Sequence, residues 1–375
     1  FWDDKDNRKY LSAYFDVYRN RWRGSYPETT GYTIVSLFEA LDTLSLETGM
    51  QNEIEGRIRR MTDWLLHVQR DDGSFPGGHE GLESSPPQLF NTAQVLSGLL
   101  QVAQRWNDTA ARAAAERAAG WMCDIQEADG RWERHIYDRD CRAYFVRAVW
   151  PLAEAALLDA MPAAPRYRRA VLNFLQWALP LQKPNGWFDR ASFCLDDDTG
   201  AYRVLHTIAY TIEGFLETGT VLGHERSVAA ALAAAERLLR RFEIDGILWA
   251  EYDERWRPAA DYVCVTGCAQ MGRIWGRGYE LTRDVRFLNA MLKINDGLRH
   301  VQPGPDAPDA TRGGFPGSIP IYEPYQPNAW PNWAAKFALD SFLIEIRLQG
   351  DVGSSQVLPA PVAPLRTTNA DRGAQ

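Results

Sequence analysis

The sequence contains few cysteines, no long apolar run and no excess of positive charge. Its five cysteines, an odd number, are scattered through 375 residues, unlike the paired framework of a disulfide-rich secreted protein. We therefore expect a reducing, cytoplasmic environment. The longest apolar runs are too short to cross a membrane, and the net charge of −8 comes without a basic stripe. These absences argue against a membrane span and against a nucleic-acid partner.

Aromatic residues, by contrast, are numerous, with 14 Trp and 15 Tyr. Each combines a flat apolar face with one polar group, a combination typical of concave ligand-binding surfaces. The balance of 45% hydrophobic and 24% charged residues is typical of a globular protein. We expect a small molecule or a glycan as the partner, whereas the composition predicts no particular oligomeric state.

A glycine followed closely by an aromatic residue recurs after successive helical segments. The glycines of this repeat are spaced 49 to 68 residues apart, and they are Gly24, Gly73, Gly130, Gly186, Gly246 and Gly314. A regular spacing of this length indicates a fold built from repeated units. A helix-periodic segment with a polar face precedes each glycine, and a loop and a more apolar helix follow it.

The spacing predicts twelve helices in six hairpins. The outer helices are predicted at 9–22, 54–69, 110–126, 166–182, 227–243 and 284–302, and the inner helices at 32–45, 88–105, 141–158, 203–218, 262–280 and 331–346. Inner helices that are apolar nearly all round need burial on every side, which favours an all-α (α/α)6 toroid. We expect one toroid domain over 1–347 and a loosely ordered tail over 348–375.

Three of the turns share the pattern Gln-x-x-x-Gly-x-aromatic. They run from Gln69 to Phe75, from Gln126 to Trp132 and from Gln182 to Phe188. This pattern resembles the QW repeat of squalene and terpene cyclases, which belong to the same toroid superfamily as the protein prenyltransferases. The resemblance implies that the Gln side chain and the aromatic ring tie consecutive hairpins together, which is a structural role.

Five further motifs lie in the predicted turns and at the starts of inner helices. They are Glu28-Thr29-Thr30-Gly31-Tyr32, Phe90-Asn91-Thr92-Ala93-Gln94, Asn185-Gly186-Trp187-Phe188, His206-Thr207-Ile208-Ala209-Tyr210 and Pro331-Asn332-Trp333-Ala334-Ala335-Lys336-Phe337. Together they resemble bacterial toroid proteins of polysaccharide gene clusters, which are often labelled cyclase-like or prenyltransferase-like. The resemblance covers nearly the whole chain and implies a glycan context.

The first turns of the inner helices are expected to meet at one mouth of the toroid, where a ligand pocket would form. His206, Tyr210 and Glu213 lie on one face of an otherwise apolar helix, and burying them without a function would cost several kcal/mol. An imidazole suits proton transfer near neutral pH, and a tyrosine one turn away supplies a complementary acid or base. We predict His206 and Tyr210 as proton-transfer groups of a lyase or epimerase.

Other inner helices supply cations and hydrogen-bonding groups. Arg147 and Lys336 are predicted to bind a sugar carboxylate, although Lys336 and Asp340 could equally form an ordinary helix pair. If Glu28 faced a second carboxylate such as Glu213, glycoside hydrolysis would be indicated instead. The remaining predicted substrate-binding residues are Tyr32, Asn91, Gln94, Tyr144, Thr266, Gln270, Trp330 and Asn332. We also predict that six side chains converge on one pocket, namely those of Glu28, Asn91, Arg147, His206, Gln270 and Lys336.

Two other enzyme classes remain open. A terpene cyclase is suggested by Asp196-Asp197-Asp198-Thr199, which resembles an Asp-x-Asp-Asp-Thr acid motif but has Leu195 at the first position, so a solvated turn is the alternative. A zinc site could use His206 with Cys264 and Cys268, yet buried cysteines are usually inert, and we predict no metal and no cofactor. We expect a carbohydrate-active enzyme, a lyase, epimerase or hydrolase acting on an acidic or hydroxyl-rich glycan. A non-catalytic glycan-binding toroid is the further alternative.

Overall fold

A computed structural model describes residues 10–137, 140–158, 161, 163–193 and 202–352. Inner helices are α1 (Pro27–Thr43), α3 (Leu89–Arg105), α5 (Val146–Ala155), α7 (Leu205–Leu222), α9 (Val265–Thr282) and α11 (Asn332–Val352). Outer helices are α2 (Thr48–Val68), α4 (Thr109–Asp124), α6 (Ala164–Ala178), α8 (Glu225–Asp245) and α10 (Val285–Val301). Within these ranges, no helix is long and apolar enough to cross a membrane.

The inner helices form a closed ring. Each packs against the next one, and α11 packs against α1, while each outer helix packs against the inner helix that precedes it in the chain. Because an outer helix returns the chain between inner helices, the inner helices all run in the same direction and begin at one mouth. The predicted all-α (α/α)6 toroid is confirmed.

Short antiparallel strand pairs decorate this ring. The strands are β1 (Tyr14–Asp16), β2 (Arg21–Trp22), β3 (Tyr202–Val204), β4 (Glu251–Asp253), β5 (Val263–Cys264), β6 (Ser318–Ile319) and β7 (Ala329–Pro331). β1 pairs with both β2 and β7, β3 pairs with β4, and β5 pairs with β6. Several of these strands directly precede inner helices, so they fix where those helices begin.

The predicted outer helix at 9–22 is wrong. The described part of this segment forms β1 and β2, which reverse through a turn where Asn20 adopts the left-handed conformation. Phe15 and Trp22 face each other across the hairpin, with ring centroids 5.2 Å apart. β1 also pairs with β7, directly before α11, so the segment joins the two ends of the ring instead of adding a helix.

Other helix boundaries also differ from the prediction; α1 and α2, for example, begin at Pro27 and Thr48 instead of at 32 and 54. The third inner helix is shorter than 141–158, because a 3-10 turn at Ala143–Phe145 precedes α5. The last inner helix continues to Val352, beyond the predicted end at 346. Residues 353–375 lie outside the described residues, so the division into a toroid domain and a loose tail stays a prediction.

Glycines allow α1 and α3 to approach each other closely. A Cβ atom placed on Gly31 would lie 2.4 Å from the carbonyl oxygen of Gln94, and one placed on Gly98 would lie 2.4 Å from the carbonyl oxygen of Gly31. Neither distance is compatible with a side chain, because backbone atoms cannot move aside cheaply. These two glycines therefore set how tightly the first two hairpins pack.

The Gln turns link consecutive hairpins, as the resemblance implied. The Gln126 Nε2 atom donates to the carbonyl oxygen of Gly130 in its own turn, at 3.0 Å, and to that of Ala170 in α6, at 2.9 Å. Gln69 and Gln182 make the corresponding pairs of bonds, to α4 and α8 respectively. Each amide thus satisfies two carbonyl groups. It joins the turn that follows one outer helix to the next outer helix along the chain.

We expect that Gln126→Ala lowers the free energy of unfolding by about 1–3 kcal/mol, because two partly buried carbonyl groups lose their donor. Chemical denaturation monitored by circular dichroism measures this. Gln104→Ala, at an exposed position of α3, is the control and should change stability by less than about 0.5 kcal/mol. Equal stability of the two variants would contradict a linking role for the Gln turn.

Candidate active site

A cavity of about 280 Å³ opens among the first turns of the inner helices and the loops that precede them. Residues from α1, α3, α7 and α11 line it, together with residues of neighbouring loops. The lining side chains are Tyr26, Glu28, Thr29, Tyr32, Phe90, Tyr137, Tyr144, Phe193, His206, Tyr210, Tyr325, Gln326 and Trp333. The cavity thus lies at the mouth where the parallel inner helices begin.

This lining is more aromatic than the set of predicted substrate-binding residues, most of which are polar or charged. Nine of the thirteen residues are aromatic, and six of these are tyrosines. Tyrosine rings offer flat apolar faces while their hydroxyl groups form hydrogen bonds at the edges. A ligand with apolar faces and many hydroxyl groups around its rim, as in a sugar ring, matches this distribution.

Glu28 places a carboxyl group in the cavity from the first turn of α1. It follows Pro27, whose missing N–H group is tolerated at this position of a helix. Burial raises the pKa of Glu28 to about 7, although a hydrogen bond from Tyr26 and the charge of Arg147 act in the opposite direction. Among the described lining residues, Glu28 is the only one with a carboxyl group.

Two tyrosines and an asparagine form a hydrogen-bonded chain beside Glu28. The hydroxyl groups of Tyr26 and Tyr137 are 3.3 Å apart, and that of Tyr137 donates to the Asn91 Oδ1 atom at 3.1 Å. The backbone N–H of Gly78 donates to the same Tyr137 hydroxyl at 3.0 Å. Asn91 therefore contacts the lining residue Tyr137 and does not itself line the cavity.

His206 lies in the cavity wall at the start of α7. Its Nδ1 atom is 2.7 Å from the Gln270 Oε1 atom, which can only accept a hydrogen bond, so Nδ1 carries the proton. Nε2, on the other edge of the ring, is then the atom that can accept a proton. Burial lowers the pKa of His206 to about 4, so the imidazole is neutral at pH 7.

Aromatic side chains enclose His206. The rings of His206 and Tyr210 have centroids 4.2 Å apart, and that of Tyr325 lies 5.6 Å from the imidazole. The Trp333 Nε1 atom donates to the Tyr325 hydroxyl at 3.1 Å. Burial raises the pKa of Tyr210 well above its usual value of 10.0. Tyr210 therefore stays protonated near neutral pH and can serve as a hydrogen-bond donor.

The predicted carboxylate-binding cations do not line the cavity. The Arg147 Nε atom is 3.1 Å from the Glu213 Oε2 atom, and the Lys336 Nζ atom is 2.6 Å from the Asp340 Oδ2 atom. The second contact is the helix pair that was the alternative for Lys336. Burial acts to raise the pKa of Glu213, but Arg147 and Arg273 outweigh it and hold the pKa below its usual value. Glu213 is thus an ion-pair partner outside the cavity lining.

The other predicted substrate-binding residues have different surroundings. Tyr32 and Tyr144 line the cavity, whereas Gln94 and Thr266 are buried on α3 and α9 outside the lining. Asn332 donates through Nδ2 to the carbonyl oxygen of Ser12 and to Thr29 Oγ1, at 2.8 and 2.9 Å.

Trp330 also lies outside the described lining, on β7, where it is in register with Phe15. The six residues predicted to converge on one pocket therefore do not all line the cavity. Only Glu28 and His206 line the cavity, while Asn91 and Gln270 contact lining residues.

Several residues that line the cavity were not predicted as site residues from the sequence. Tyr137, Phe193, Tyr325 and Gln326 lie in loops, where no periodicity marks a position as facing inward. Tyr26 was visible only as the aromatic residue of the first Gly repeat. Thr29, Phe90 and Trp333 lie inside the motifs that carry the family resemblance, so the sequence could have indicated these three.

The residues of the two alternative enzyme classes can be placed only in part. Asp196, Asp197 and Asp198 lie outside the described residues. The Cys264 Sγ atom accepts a hydrogen bond from the backbone N–H of Gly267, and burial raises the pKa of Cys264 to about 12. Burial also raises the pKa of Cys268. In the part of the chain that the structure describes, no three His, Cys, Asp or Glu side chains are grouped to hold a metal ion.

No protein-family model matches the chain, and no curated protein is significantly similar to it in sequence. Solved structures do share its fold. An unsaturated glucuronyl hydrolase from Bacillus sp. GL1, responsible for the degradation of glycosaminoglycan, has a TM-score of 0.66 and 15% identity over 93% of both chains. A cellobiose 2-epimerase from Bacillus thermoamylovorans has a TM-score of 0.67 and 11% identity, over 91% of this chain and 93% of its own.

A polysaccharide lyase has a TM-score of 0.61 and 13% identity, over 90% of this chain and 93% of its own. At such low identities these similarities show a shared toroid fold. The toroid fold is the part of the two resemblances stated above that these similarities support.

Proposed function

We propose that the chain is a carbohydrate-active enzyme that performs acid–base chemistry on one sugar unit held in the aromatic cavity. The observation that carries this proposal is that a buried carboxyl group and a neutral imidazole, Glu28 and His206, line the same cavity. With pKa values of about 7 and about 4, the protonated acid and the neutral base coexist in mildly acidic solution. The enzymes of similar fold named above add support, because each of them acts on a saccharide.

Epimerisation is the reaction that this pair of groups supports best. The His206 Nε2 atom would take a proton from the carbon beside the carbonyl group of an open-chain sugar, while Glu28 donates its proton to the carbonyl oxygen. The C–H electron pair then forms the double bond of a neutral enediol, which leaves His206 protonated and Glu28 as a carboxylate. After the enediol turns its opposite face to His206 by rotation about the adjoining C–C bond, His206 returns its proton to the carbon while Glu28 takes back the enol proton, which restores the carbonyl group and gives the epimer. Tyr210 would donate a hydrogen bond to the sugar throughout.

Glycoside hydrolysis is the second candidate, because a carboxyl group with a pKa near 7 is also a suitable acid for a leaving-group oxygen. The usual mechanism requires a second carboxylate across the sugar. Glu213 does not fill this role in the described lining, since Arg147 and Arg273 bind it. Hydrolysis therefore ranks below epimerisation.

One experiment separates these reactions. The protein is incubated in deuterium oxide with a panel of mono- and oligosaccharides, and the products are analysed by NMR and mass spectrometry. We expect deuterium on a sugar carbon and a new epimer, which is the result of proton abstraction and return. A new reducing end without carbon-bound deuterium would favour hydrolysis, and no change in any saccharide by the folded protein would contradict the proposal.

The cavity also favours a neutral sugar over an acidic one. None of the described lining residues is Arg or Lys, and Arg147 and Lys336 are already paired with carboxylates. A bound uronate would lose its hydration without gaining a counter-charge, which costs several kcal/mol. We expect kcat/KM for a glucose-terminated substrate to exceed that for its glucuronate-terminated counterpart by at least about a hundredfold. Comparable values for the two substrates would argue for a cation at the cavity that this lining lacks.

A further inference from the structure

A second, larger depression lies next to the cavity. This outer cleft has a volume of about 1230 Å³ and is formed by Tyr10, the end of α2 and the loop over 70–84. Its side chains include Trp64, His67, His79 and Ser84. The acid–base chemistry proposed above uses none of these groups.

The outer cleft adjoins the cavity along a shared boundary. Ser25 lines the cleft, and the next residue, Tyr26, lines the cavity. His79 lies in the cleft wall, and its ring centroid is 6.0 Å from that of Tyr26. Gly78, directly before it, holds the cavity residue Tyr137 through its backbone N–H. A ligand that extends out of the cavity at this side would therefore enter the cleft.

The chemistry of the cleft matches that of the cavity. Tyr10 and Trp64 stack on each other, with ring centroids 5.4 Å apart and planes 25° apart. Polar and charged side chains also line the cleft, among them Ser25, Ser84, Arg70 and Asp71. Burial lowers the pKa of His79, so its ring is neutral at pH 7 and can both donate and accept hydrogen bonds. Aromatic rings beside side chains that donate and accept hydrogen bonds are suited to a chain of sugar units.

We propose that the outer cleft binds the further units of an oligosaccharide whose reacting unit occupies the cavity. This inference rests on the proposed function and identifies the substrate as a glycan chain instead of a free monosaccharide. The sizes agree with this arrangement, because the cavity is at the lower limit of ordinary ligand pockets and the cleft exceeds their upper limit. Tyr10 is then a substrate-binding residue that does not touch the reacting atoms.

The test is a length series of oligosaccharides, from two to six units, that extend the best disaccharide of the panel. We expect kcat/KM to rise with length until the cleft is filled. Tyr10→Ala should lose about three- to tenfold in kcat/KM on the longer substrates, because a stacking surface is removed, and less on the disaccharide. Circular dichroism and thermal denaturation show whether the variant is folded. Asp71→Ala, at an exposed cleft position, provides a second variant that leaves the core intact.

Tyr18→Ala is the matched control, because Tyr18 is an exposed tyrosine of the same chain segment that lies outside the described lining of the cleft. Length-independent kcat/KM, or equal effects of Tyr10→Ala and Tyr18→Ala at every length, would overturn the cleft assignment and leave the proposed function intact. If the folded protein neither binds nor converts any saccharide of the panel, the proposed function is overturned and the cleft assignment with it.

Discussion

Glu28→Gln is expected to lower kcat about 10²- to 10⁴-fold, which is the usual contribution of a positioned acid or base. The substitution keeps the shape of the side chain but removes the proton that the reaction transfers. Steady-state kinetics on the best saccharide of the panel measure the loss. Glu154→Gln is the matched control, because burial also raises the pKa of Glu154 to about 7 while Glu154 lies outside the described lining of the cavity. Equal losses in the two variants would remove Glu28 from the mechanism.

The pH dependence gives the same group a distinct signature. In the parent protein, kcat/KM should decline below about pH 4, where His206 becomes protonated, and above about pH 7, where Glu28 loses its proton. The residual activity of Glu28→Gln should lack the alkaline decline, because glutamine has no proton to lose in this range. A parent profile that is flat between pH 6 and 9 would contradict the assignment of Glu28 as the acid.

Protonation of Glu28 also affects the stability of the folded protein. Its pKa in the folded protein, about 7, lies above its usual value of 4.5. The stability that the protonated form contributes is therefore complete below about pH 4.5 and is lost as the pH rises through 7. At pH 8 the Glu28→Gln variant should be more stable than the parent, with an upper limit on the order of 3 kcal/mol from the size of the pKa shift. Chemical denaturation at pH 5 and pH 8 measures the difference, which should be larger at the higher pH.

Glu213→Gln is expected to lower the free energy of unfolding by about 3–5 kcal/mol at pH 7. Glu213 is 2% exposed and binds two arginines, Arg147 and Arg273, through Nε contacts of 3.1 Å each. Removing its charge leaves the buried Arg147 guanidinium without this carboxylate, while Arg273 keeps contacts with Glu39 and Glu217. Denaturation followed by both fluorescence and circular dichroism measures the change and shows whether unfolding is cooperative.

The control for this variant is Glu254→Gln, which removes the carboxylate of an exposed pair with Lys183 and should cost less than about 1 kcal/mol. The pKa of Glu213 is lowered in the folded protein. Its contribution to stability is therefore present above the unfolded pKa near 4.5 and is lost as the pH falls through the lower folded value. A Glu213→Gln variant as stable as Glu254→Gln would show that the buried arginines are solvated or paired elsewhere.

The sequence contained enough information for the architecture, because a repeated Gly turn every 49 to 68 residues leaves few folds to choose from. The predicted helix at 9–22 failed because the partner of that segment, β7, lies more than 300 residues further along the chain. Local periodicity carries no information about a strand pairing of that range. The closed ring was therefore predictable from the sequence, but the β1–β7 strand pair that joins its two ends was not.

For the site, the sequence identified residues by their place in a helix but not by their partners. Glu28 and His206 were found because both lie in first turns of inner helices. Arg147 and Lys336 satisfied the same criterion, yet they pair with Glu213 and Asp340 and do not line the cavity. Which side chain points into a cavity depends on ion pairs between helices, and this is information that only the packed ring contains.

The strand pair β1–β7 and the side-chain contacts around it join the two ends of the ring, so they can form only after nearly the whole chain has been synthesised. The Asn332 side chain reaches back to the carbonyl oxygen of Ser12, and Ser36 in α1 donates to Asp340 in α11, across 320 and 304 positions of the chain. The ribosome synthesises the first member of each pair long before the last one. During this interval, the apolar face of α1 that α11 covers is exposed to solvent. Contacts of such long range are slow to form. The nascent toroid is therefore exposed to aggregation until its final inner helix emerges, and holdase chaperones would act on it during that interval.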